Sequence, residues 1–207
     1  MLRRLIILLL IVGCEEDTVA PNPSICDGLT EVELWGVDYD IATTYTLTLR
    51  HQELTGSIPP EIGCLTNLTS LNLGVNQLTG SIPSEIGDLT HLTYLSLFNN
   101  QLTGEIPSEI GNLTNLTWLA LSDNQQSGEI PSEIGNLTNL TSLNLHTNQL
   151  TGEIPQEIGN LTNLTWLNLS DNQLTGEIPQ AVCDLIESNN INIDVIFIGN
   201  NLINTCE

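Results

Sequence analysis

The chain has 207 residues, and its 25 Asp and Glu residues outnumber three Lys and Arg residues, which gives a formal net charge of -22 at pH 7. Because nucleic-acid binding depends on Lys and Arg side chains that neutralise phosphates, this balance argues against a nucleic-acid partner. It argues equally against electrostatic docking on an anionic lipid surface. The composition therefore directs attention to other kinds of partner.

The first thirteen residues have the pattern of a secretory signal, since Arg3 and Arg4 precede an apolar run over residues 5–12. That run is too short to span a bilayer. It ends in Ile-Val-Gly before Cys14, which resembles the lipobox of bacterial lipoproteins. The resemblance implies acylation of Cys14 and lipid anchoring in the cell envelope, at the outer membrane or the cell surface. An ordinary secretory signal with a chance cysteine is the alternative, and both predict export from the cytoplasm.

An acidic tether is predicted over residues 14–25, because Glu15, Glu16 and Asp17 are followed by a Pro-Asn-Pro segment. The acidic cluster also resembles the surface-export signals of some lipoproteins. We expect an N-terminal cap over residues 26–44, before the repetitive part of the chain begins.

From residue 45 the sequence repeats itself every 24 residues, as Asn76 and Asn100 illustrate. Residues 68–76 read Leu-x-x-Leu-x-Leu-x-x-Asn, and Leu-Thr-Gly-x-Ile-Pro follows. This combination resembles the plant-type leucine-rich repeats of receptor ectodomains and polygalacturonase-inhibiting proteins over about residues 45–180.

The resemblance implies an α/β repeat solenoid. It would be a right-handed superhelix with short parallel strands on its concave face, irregular or 3-10 segments on its convex side, and disulfide-capped ends. We predict that the repeats occupy residues 45–182 and that a C-terminal cap occupies residues 183–207.

Each repeat supplies a ring of apolar side chains that only neighbouring turns can cover, so a single repeat cannot fold alone. In one turn the ring comprises Leu71, Leu73, Leu78, Ile82, Ile86, Leu89 and Leu92. An asparagine recurs after each predicted strand, and its amide is expected to bond to the backbone of its own and the adjacent turn. These residues are Asn76, Asn100, Asn124, Asn148 and Asn172.

Four cysteines besides Cys14 lie two at each end of the array, in a compartment that permits disulfides. We predict the bridges Cys26–Cys64 and Cys183–Cys206. The plant-type N-terminal cap usually carries a cysteine shortly after a Trp-x-Gly-Val element, whereas here Asp38 follows, which leaves the first pairing open. Residues 195–200 are predicted to form a further copy of the strand and turn of the repeat, displaced by four residues from the 24-residue register.

Residues between the strand leucines should project from the concave face, which leucine-rich repeats use for recognition. Most of them are small or polar, so four aromatic residues stand out as candidate anchors for a ligand. The predicted ligand-binding residues are Tyr94, Phe98, Trp118, Trp166, Asn144, His146, Asp123 and Asp171. We expect them to bind an extracellular protein, in recognition or adhesion. The alternative is that the rings only cover one another across strands.

Three other functions remain open from the sequence. A polysaccharide would also suit the aromatic strip. Ice binding is suggested by a threonine column, since a plant antifreeze protein resembles this repeat family, and a structural spacer is the third possibility. The column comprises Thr69, Thr93, Thr117, Thr141 and Thr165.

No catalytic motif is recognisable, because His51, His91 and His146 occupy different repeat positions and the cysteines are assigned to the caps. We therefore expect neither an enzyme nor a cofactor, and no metal centre. Two columns of like charge are predicted on the opposite face, screened by solvent and salt or, alternatively, by weakly bound divalent cations. They are Glu105, Glu129, Glu153 and Glu177, and Glu61, Glu85, Glu109, Glu133 and Glu157.

Overall fold

The computed structural model describes residues 25–206. The predicted signal sequence, the lipidation of Cys14 and nearly all of the predicted tether lie outside the described residues.

The repeats form a solenoid whose largest element is a six-stranded parallel sheet with one strand from each turn. The register advances by one repeat per strand, so that Leu71 pairs with Leu95 and Leu95 with Leu119. Alternation along each strand buries the leucine and turns its two neighbours outward. The strands are Thr46–Thr48, Ser70–Asn72, Tyr94–Ser96, Trp118–Ala120, Ser142–Asn144 and Trp166–Asn168.

A second parallel sheet, which the sequence analysis does not predict, runs alongside the first. It is built from the segment that follows the ladder-asparagine position of each repeat, which reads Gln-Leu-Thr-Gly in most turns and Gln-Gln-Ser-Gly at residues 125–128. Its five strands are Thr55–Gly56, Gln77–Gly80, Gln101–Gly104, Gln125–Glu129 and Gln149–Thr151. Part of the side expected to be irregular is therefore ordered as a sheet.

Five short 3-10 helices complete the repeating turns of the described part, and each follows a proline in extended conformation. Proline is favoured at the start of a helix because its fixed φ is compatible with the helical turn. Its missing N–H also costs no hydrogen bond there, since an N–H at the helix start has no partner within the helix. At Gly111 an added Cβ would lie 2.6 Å from the backbone oxygen of Glu133 in the next turn, so only glycine permits this close stacking. The helices are Pro60–Cys64, Ser84–Asp88, Ser108–Asn112, Ser132–Asn136 and Gln156–Asn160.

The core is a continuous column of buried Leu and Ile side chains, and the predicted ring at residues 71–92 is at most 3% exposed. The asparagine ladder beside it is confirmed. Asn124 donates from Nδ2 to the carbonyl oxygens of Leu97 and Leu121, both at 3.1 Å, and its Oδ1 accepts from the Leu102 N–H at 3.0 Å. Each asparagine thus ties the backbone of adjacent turns together.

The N-terminal cap is an antiparallel hairpin, Glu31–Leu34 with Val37–Asp40, and Cys26 is bonded to Cys64 as predicted. A turn follows the hairpin, in which the Thr43 hydroxyl and N–H both donate to Asp40 Oδ1 at 2.8 Å. These hydrogen bonds stabilise the ionised carboxylate and lower the pKa of Asp40 below its ordinary value.

The C-terminal cap begins with helix α1 (Gln180–Ser188), and Cys183 is bonded to Cys206 as predicted. The prediction of a strand at residues 195–198 is wrong, because Asp194–Phe197 forms a short helix, α2. Asn200 nevertheless extends the asparagine ladder, since its Nδ2 donates to Leu169 O at 2.9 Å. A last pair of parallel strands, Thr175–Glu177 and Asn201–Ile203, closes this end.

Within residues 25–206, no helix combines the length and the apolar character that crossing a bilayer requires.

Candidate functional site

The eight predicted ligand-binding residues lie along one side of the solenoid, on the outer face of the six-stranded sheet or in the turns that follow its strands. Strand neighbours of these residues, such as Leu95 and Leu119, point inward and are fully buried. The outer face is therefore held by a rigid apolar core directly behind it, which fixes the positions of its side chains.

Two indoles are the most exposed aromatic rings of this face, with Trp118 41% and Trp166 51% exposed. Trp118 stacks on Tyr94 of the preceding strand, with ring centroids 6.1 Å apart and an interplanar angle of 16°. Trp166 has no stacked ring beside it within residues 25–206. Mutual covering of the rings thus accounts for one pair of aromatic residues and leaves Trp166 open to solvent.

Phe98 interacts with the only Lys or Arg side chain of the described part of the chain, Arg50. The Arg50 guanidinium carbon lies 5.2 Å from the centre of the Phe98 ring, in a cation–π arrangement. The ring crosses the place that a side chain at Gly74 would occupy, since an added Cβ there would lie 2.6 Å from Phe98 Cδ1. Gly74 therefore allows Phe98 to extend across one turn towards Arg50.

Polar groups border the indoles at the strand ends. His146 Nε2 lies 3.4 Å from Asp123 Oδ2, and His146 Nδ1 lies 2.8 Å from Thr147 Oγ1. Asn144 Nδ2 is 3.5 Å from Ser122 Oγ, which is at the limit of a hydrogen bond. Asp171 is exposed and forms no ion pair within the described residues.

Two further residues of this face, Ser142 and Arg50, are not among the predicted ligand-binding residues. Ser142 lies on the strand between those of Trp118 and Trp166 and is 2% exposed, and its Oγ has no hydrogen-bond partner among residues 25–206. Arg50 also went unselected, because contact with Phe98 depends on the missing side chain of Gly74. The signal for Ser142 was its position between two tryptophans in the repeat alignment.

A second regular surface is formed by the threonine column, whose residues directly precede the strands. Each threonine hydroxyl donates a hydrogen bond to a backbone carbonyl of the preceding turn. Thr117 Oγ1, for example, donates to Thr93 O at 2.9 Å. Asparagines beside them bond in the same way, and His91 replaces one of these asparagines with Nδ1 3.0 Å from Thr66 O. The threonine row borders a shallow groove of about 630 Å³.

Part of the glutamate columns lines a larger groove of about 1390 Å³ on another side, namely Glu105, Glu109, Glu129 and Glu153. In the column that contains Glu129, the side-chain stems pack on glycines of the next turn; an added Cβ on Gly152, for example, would lie 2.8 Å from Glu129 Cγ. Over residues 25–206, no three His, Cys, Asp or Glu side chains converge in a way that could hold a metal ion. The carboxylates are arranged in rows and do not form such a cluster.

Comparison with known proteins identifies the architecture. A family model described as a leucine-rich repeat region matches residues 45–152, and a leucine-rich repeat model matches residues 163–185. Comparison with curated proteins gives no significant match.

Similar solved structures come from plants. The ectodomain of the Arabidopsis thaliana receptor kinase GASSHO1/SCHENGEN3, in complex with CASPARIAN STRIP INTEGRITY FACTOR 2, is 41% identical with a TM-score of 0.70; the match covers 76% of this chain and 18% of that chain. The peptide hormone receptor RGFR1, in complex with RGF2, is 38% identical with a TM-score of 0.69, over 76% and 25% of the two chains.

A plant ice-binding protein is 33% identical with a TM-score of 0.63, over 76% of this chain and 56% of that chain. The chain thus spans a quarter or less of each receptor structure, and about half of the ice-binding protein. Because the family model matches more than half of the 207 residues and the stacked strands agree with it, the chain belongs to the leucine-rich repeat family.

Proposed function

We propose that this chain is an exported, lipid-anchored recognition module that binds a protein or peptide through the outer face of its six-stranded sheet. The observation that carries the proposal is the exposure of Trp118 and Trp166 on a face otherwise composed mainly of small and polar side chains. Tryptophan is enriched among the residues that dominate binding energy at protein interfaces.

The sheet supports such a role because it presents its side chains with little freedom to rearrange. A preorganised surface loses less conformational entropy when a partner binds. Two similar structures are complexes, one of the GASSHO1/SCHENGEN3 ectodomain with CASPARIAN STRIP INTEGRITY FACTOR 2 and one of the receptor RGFR1 with RGF2, and this supports a binding function for the shared architecture. We propose binding without catalysis.

The test is capture of partners from envelope and environmental extracts by the full-length chain. The parent is compared with the double variant Trp118→Ala, Trp166→Ala and with Tyr45→Ala, which removes a 56% exposed aromatic ring outside the strand columns. We expect a purified captured protein to bind the parent and Tyr45→Ala equally and the double variant at least tenfold more weakly. Equal binding by all three would place the site elsewhere, and capture of only polysaccharide would favour the glycan alternative.

Lipid anchoring is tested separately, because it depends on Cys14 and not on the repeats. The parent should partition into the detergent phase of a Triton X-114 separation, and Cys14→Ser should remain in the aqueous phase. Partition of both proteins into the aqueous phase would contradict the anchor and leave the proposed binding face untouched.

Ice binding is the second candidate, favoured by the regularity of the threonine row. Its side chains are exposed and fixed by equivalent hydrogen bonds of 2.9–3.1 Å. Thermal hysteresis of the parent, abolished by Thr117→Tyr but retained by the Trp118→Ala, Trp166→Ala double variant, would establish it. Absence of hysteresis in the parent would dismiss it.

A further inference from the structure

On the outer face of the six-stranded sheet, a Trp–Asp pair occurs twice, with one turn between the two occurrences. Trp118 and Asp123 occupy the same repeat positions as Trp166 and Asp171, and the turn between them has Ser142 at the tryptophan position. Because neighbouring strands lie about 4.8 Å apart, the two Trp–Asp pairs are separated by about 10 Å along the stack. Any ligand that engages both pairs must offer equivalent groups at that period.

The repeated groups remain available for a ligand. Trp166 has no stacked ring within the described residues, and Asp171 has no ion pair there. Within residues 25–206, the Asp123 carboxylate has one ion-pair partner, His146, at 3.4 Å. Internal side-chain contacts therefore do not account for the uncovered indole of Trp166. The aspartates also have a backbone reason for their positions, since Asp123 and Asp171 adopt left-handed conformations with φ of 55° and 54°, which aspartate tolerates.

The period discriminates among the backbone conformations of a peptide ligand. A polyproline-II helix has three residues per turn and a rise of about 3.1 Å per residue, so equivalent side chains recur about every 9.3 Å. A β-strand presents the same face about every 6.7 Å. An α-helix has a pitch of about 5.4 Å. Only polyproline-II has a single repeat close to the separation of the two Trp–Asp pairs.

The chemistry of the face suits the same conformation. Proline rings pack well on aromatic surfaces, and aromatic-lined sites elsewhere recognise polyproline-II segments because little conformational entropy is lost. The carbonyl groups of such a segment have no internal hydrogen bonds, so exposed indole N–H groups can donate to them.

Charge specifies the residues between the prolines. The chain carries 25 carboxylates in all, and its single described cation, Arg50, is already placed over Phe98. A ligand with Lys or Arg beside Asp123 and Asp171 gains attraction at both positions, whereas an acidic ligand is repelled by the whole surface.

We propose that this face binds a basic, proline-rich segment in the polyproline-II conformation, laid across the strands along the stack. Prolines three residues apart contact Trp118 and Trp166, and basic side chains of the same triplets reach Asp123 and Asp171. This inference rests on the proposed recognition function of the face and specifies the chemistry of its partner.

The direct test measures binding of the full-length chain to a peptide of four Pro-Pro-Arg triplets by calorimetry. Two peptides serve as controls: four Gly-Gly-Arg triplets keep the charge without the conformation, and four Pro-Pro-Glu triplets keep the conformation with the opposite charge. We expect the first peptide to bind at least tenfold more tightly than either control. Equal binding of the Gly-Gly-Arg peptide would overturn the conformational requirement, and equal binding of the Pro-Pro-Glu peptide would overturn the role of the aspartates.

A variant that changes spacing without changing composition tests the geometry. The double substitution Ser142→Trp, Trp166→Ser places the two indoles on adjacent strands, about 4.8 Å apart. We expect it to bind the Pro-Pro-Arg peptide at least tenfold more weakly than the parent. Ser142→Trp alone keeps both original indoles and should retain their proline contacts, and its melting temperature shows whether the turn accepts tryptophan. Undiminished binding by the double variant, with both variants folded, would overturn the spacing argument.

Failure of this inference is distinguishable from failure of the proposed function. If the Pro-Pro-Arg peptide does not bind, but a captured protein still requires Trp118 and Trp166, the polyproline-II inference is wrong and the recognition face stands. If cellohexaose binds through both indoles and the peptide does not, the ligand is a glycan and the inference is likewise overturned.

Discussion

Inward-facing and outward-facing side chains of the six-stranded sheet follow opposite rules. The inward position at the centre of each strand is leucine in all six turns, and every one of these side chains is at most 3% exposed. The outward position beside it changes from Ser70 to Tyr94, Trp118 and Ser142 in successive turns. The inward side is uniform because each turn packs on a copy of itself, whereas the outward side contacts solvent or a ligand and is free to vary.

The largest expected effect comes from a substitution in the asparagine ladder, which lies on the inward, uniform side of the repeats. Asn124→Ala removes the amide that satisfies buried backbone groups of adjacent turns, so we expect it to lower the free energy of unfolding by about 3 kcal/mol. Asn144→Ala is the matched control on the outer face, where the amide makes only contacts of 3.5 Å, and should cost under about 1 kcal/mol. Urea unfolding measures both, and equal losses would contradict the comparison.

The second prediction concerns a buried polar residue at an inward position that is leucine in the neighbouring turns. Gln126 is 0% exposed where neighbouring turns have Leu102 and Leu150, and neither polar atom of its side chain has a hydrogen-bond partner in the described part of the chain. Gln126→Leu should therefore raise the free energy of unfolding by about 2 kcal/mol, because unpaired buried polar groups are costly. The exposed neighbour Gln125 provides the control, since Gln125→Leu should change stability by less than about 0.5 kcal/mol. No gain from Gln126→Leu would mean that the amide is satisfied by water or by rearrangement.

A third prediction concerns the residue before each ladder asparagine, which adopts a left-handed backbone conformation. Val75 has φ of 58° there, whereas Asn99 occupies the equivalent position with φ of 54°. A β-branched side chain is strained in this region, and asparagine tolerates it. Val75→Asn should raise the free energy of unfolding by about 1 kcal/mol, and Asn99→Val should lower it by a similar amount. Thermal melting of the two variants checks both signs, and the same sign for both would refute the strain argument.

The smallest expected effect concerns the glutamate rows, which also differ between the two halves of the array. The row that contains Glu129 continues towards the N-terminus as Ser57 and Ser81. Glu129→Gln keeps the stem packed on Gly152 and removes one like charge, so it should stabilise by a few tenths of a kcal/mol at low salt only. Ser81→Glu extends the row and should have the opposite sign. Salt-independent effects in melting experiments would show that packing and not repulsion is responsible.

Much of the fold is predictable because the repeat specifies it many times. The leucine spacing predicts the strands, the asparagine ladder and the solenoid, and the positions of four cysteines at the ends predict both disulfides. The second sheet is not predictable from one repeat, because Gln-Leu-Thr-Gly lacks the length and alternation that indicate a strand. It becomes a strand only when the same segment of the next turn lies beside it.

The C-terminal cap shows a related limit. Residues 195–198 have the apolar pattern of another strand, but Asp194–Phe197 is helical in the structure. Asn200 still takes the ladder position, which is where the sequence pattern is closest to the repeat. At the end of a solenoid there is no following turn to pair with, so an apolar run need not be extended.

The candidate site is also predictable only in part. The repeat alignment is sufficient to place Trp118 and Trp166 in one column, and their assignment as ligand-binding residues stays a prediction. The directions of the side chains decide which ring stacks on another ring of the protein. Tyr94 stacks on Trp118, whereas Trp166 is left uncovered. The contact between Arg50 and Phe98 likewise depended on the missing side chain at Gly74 between them.

The sequence by itself determined the repeat period, the inward leucines and the asparagine ladder, because each is specified by spacing along the chain. It placed two cysteines at each end of the array, and the structure decided the pairing of Cys26 with Cys64 that the sequence had left open. Only the tertiary structure decided how adjacent turns share their side chains: the second sheet, the stacked pair Tyr94 and Trp118, and the buried unpaired amide of Gln126. The physical reason is that these features arise from contacts between residues about one repeat apart, whose geometry depends on both side chains and on the packing of the turns that hold them.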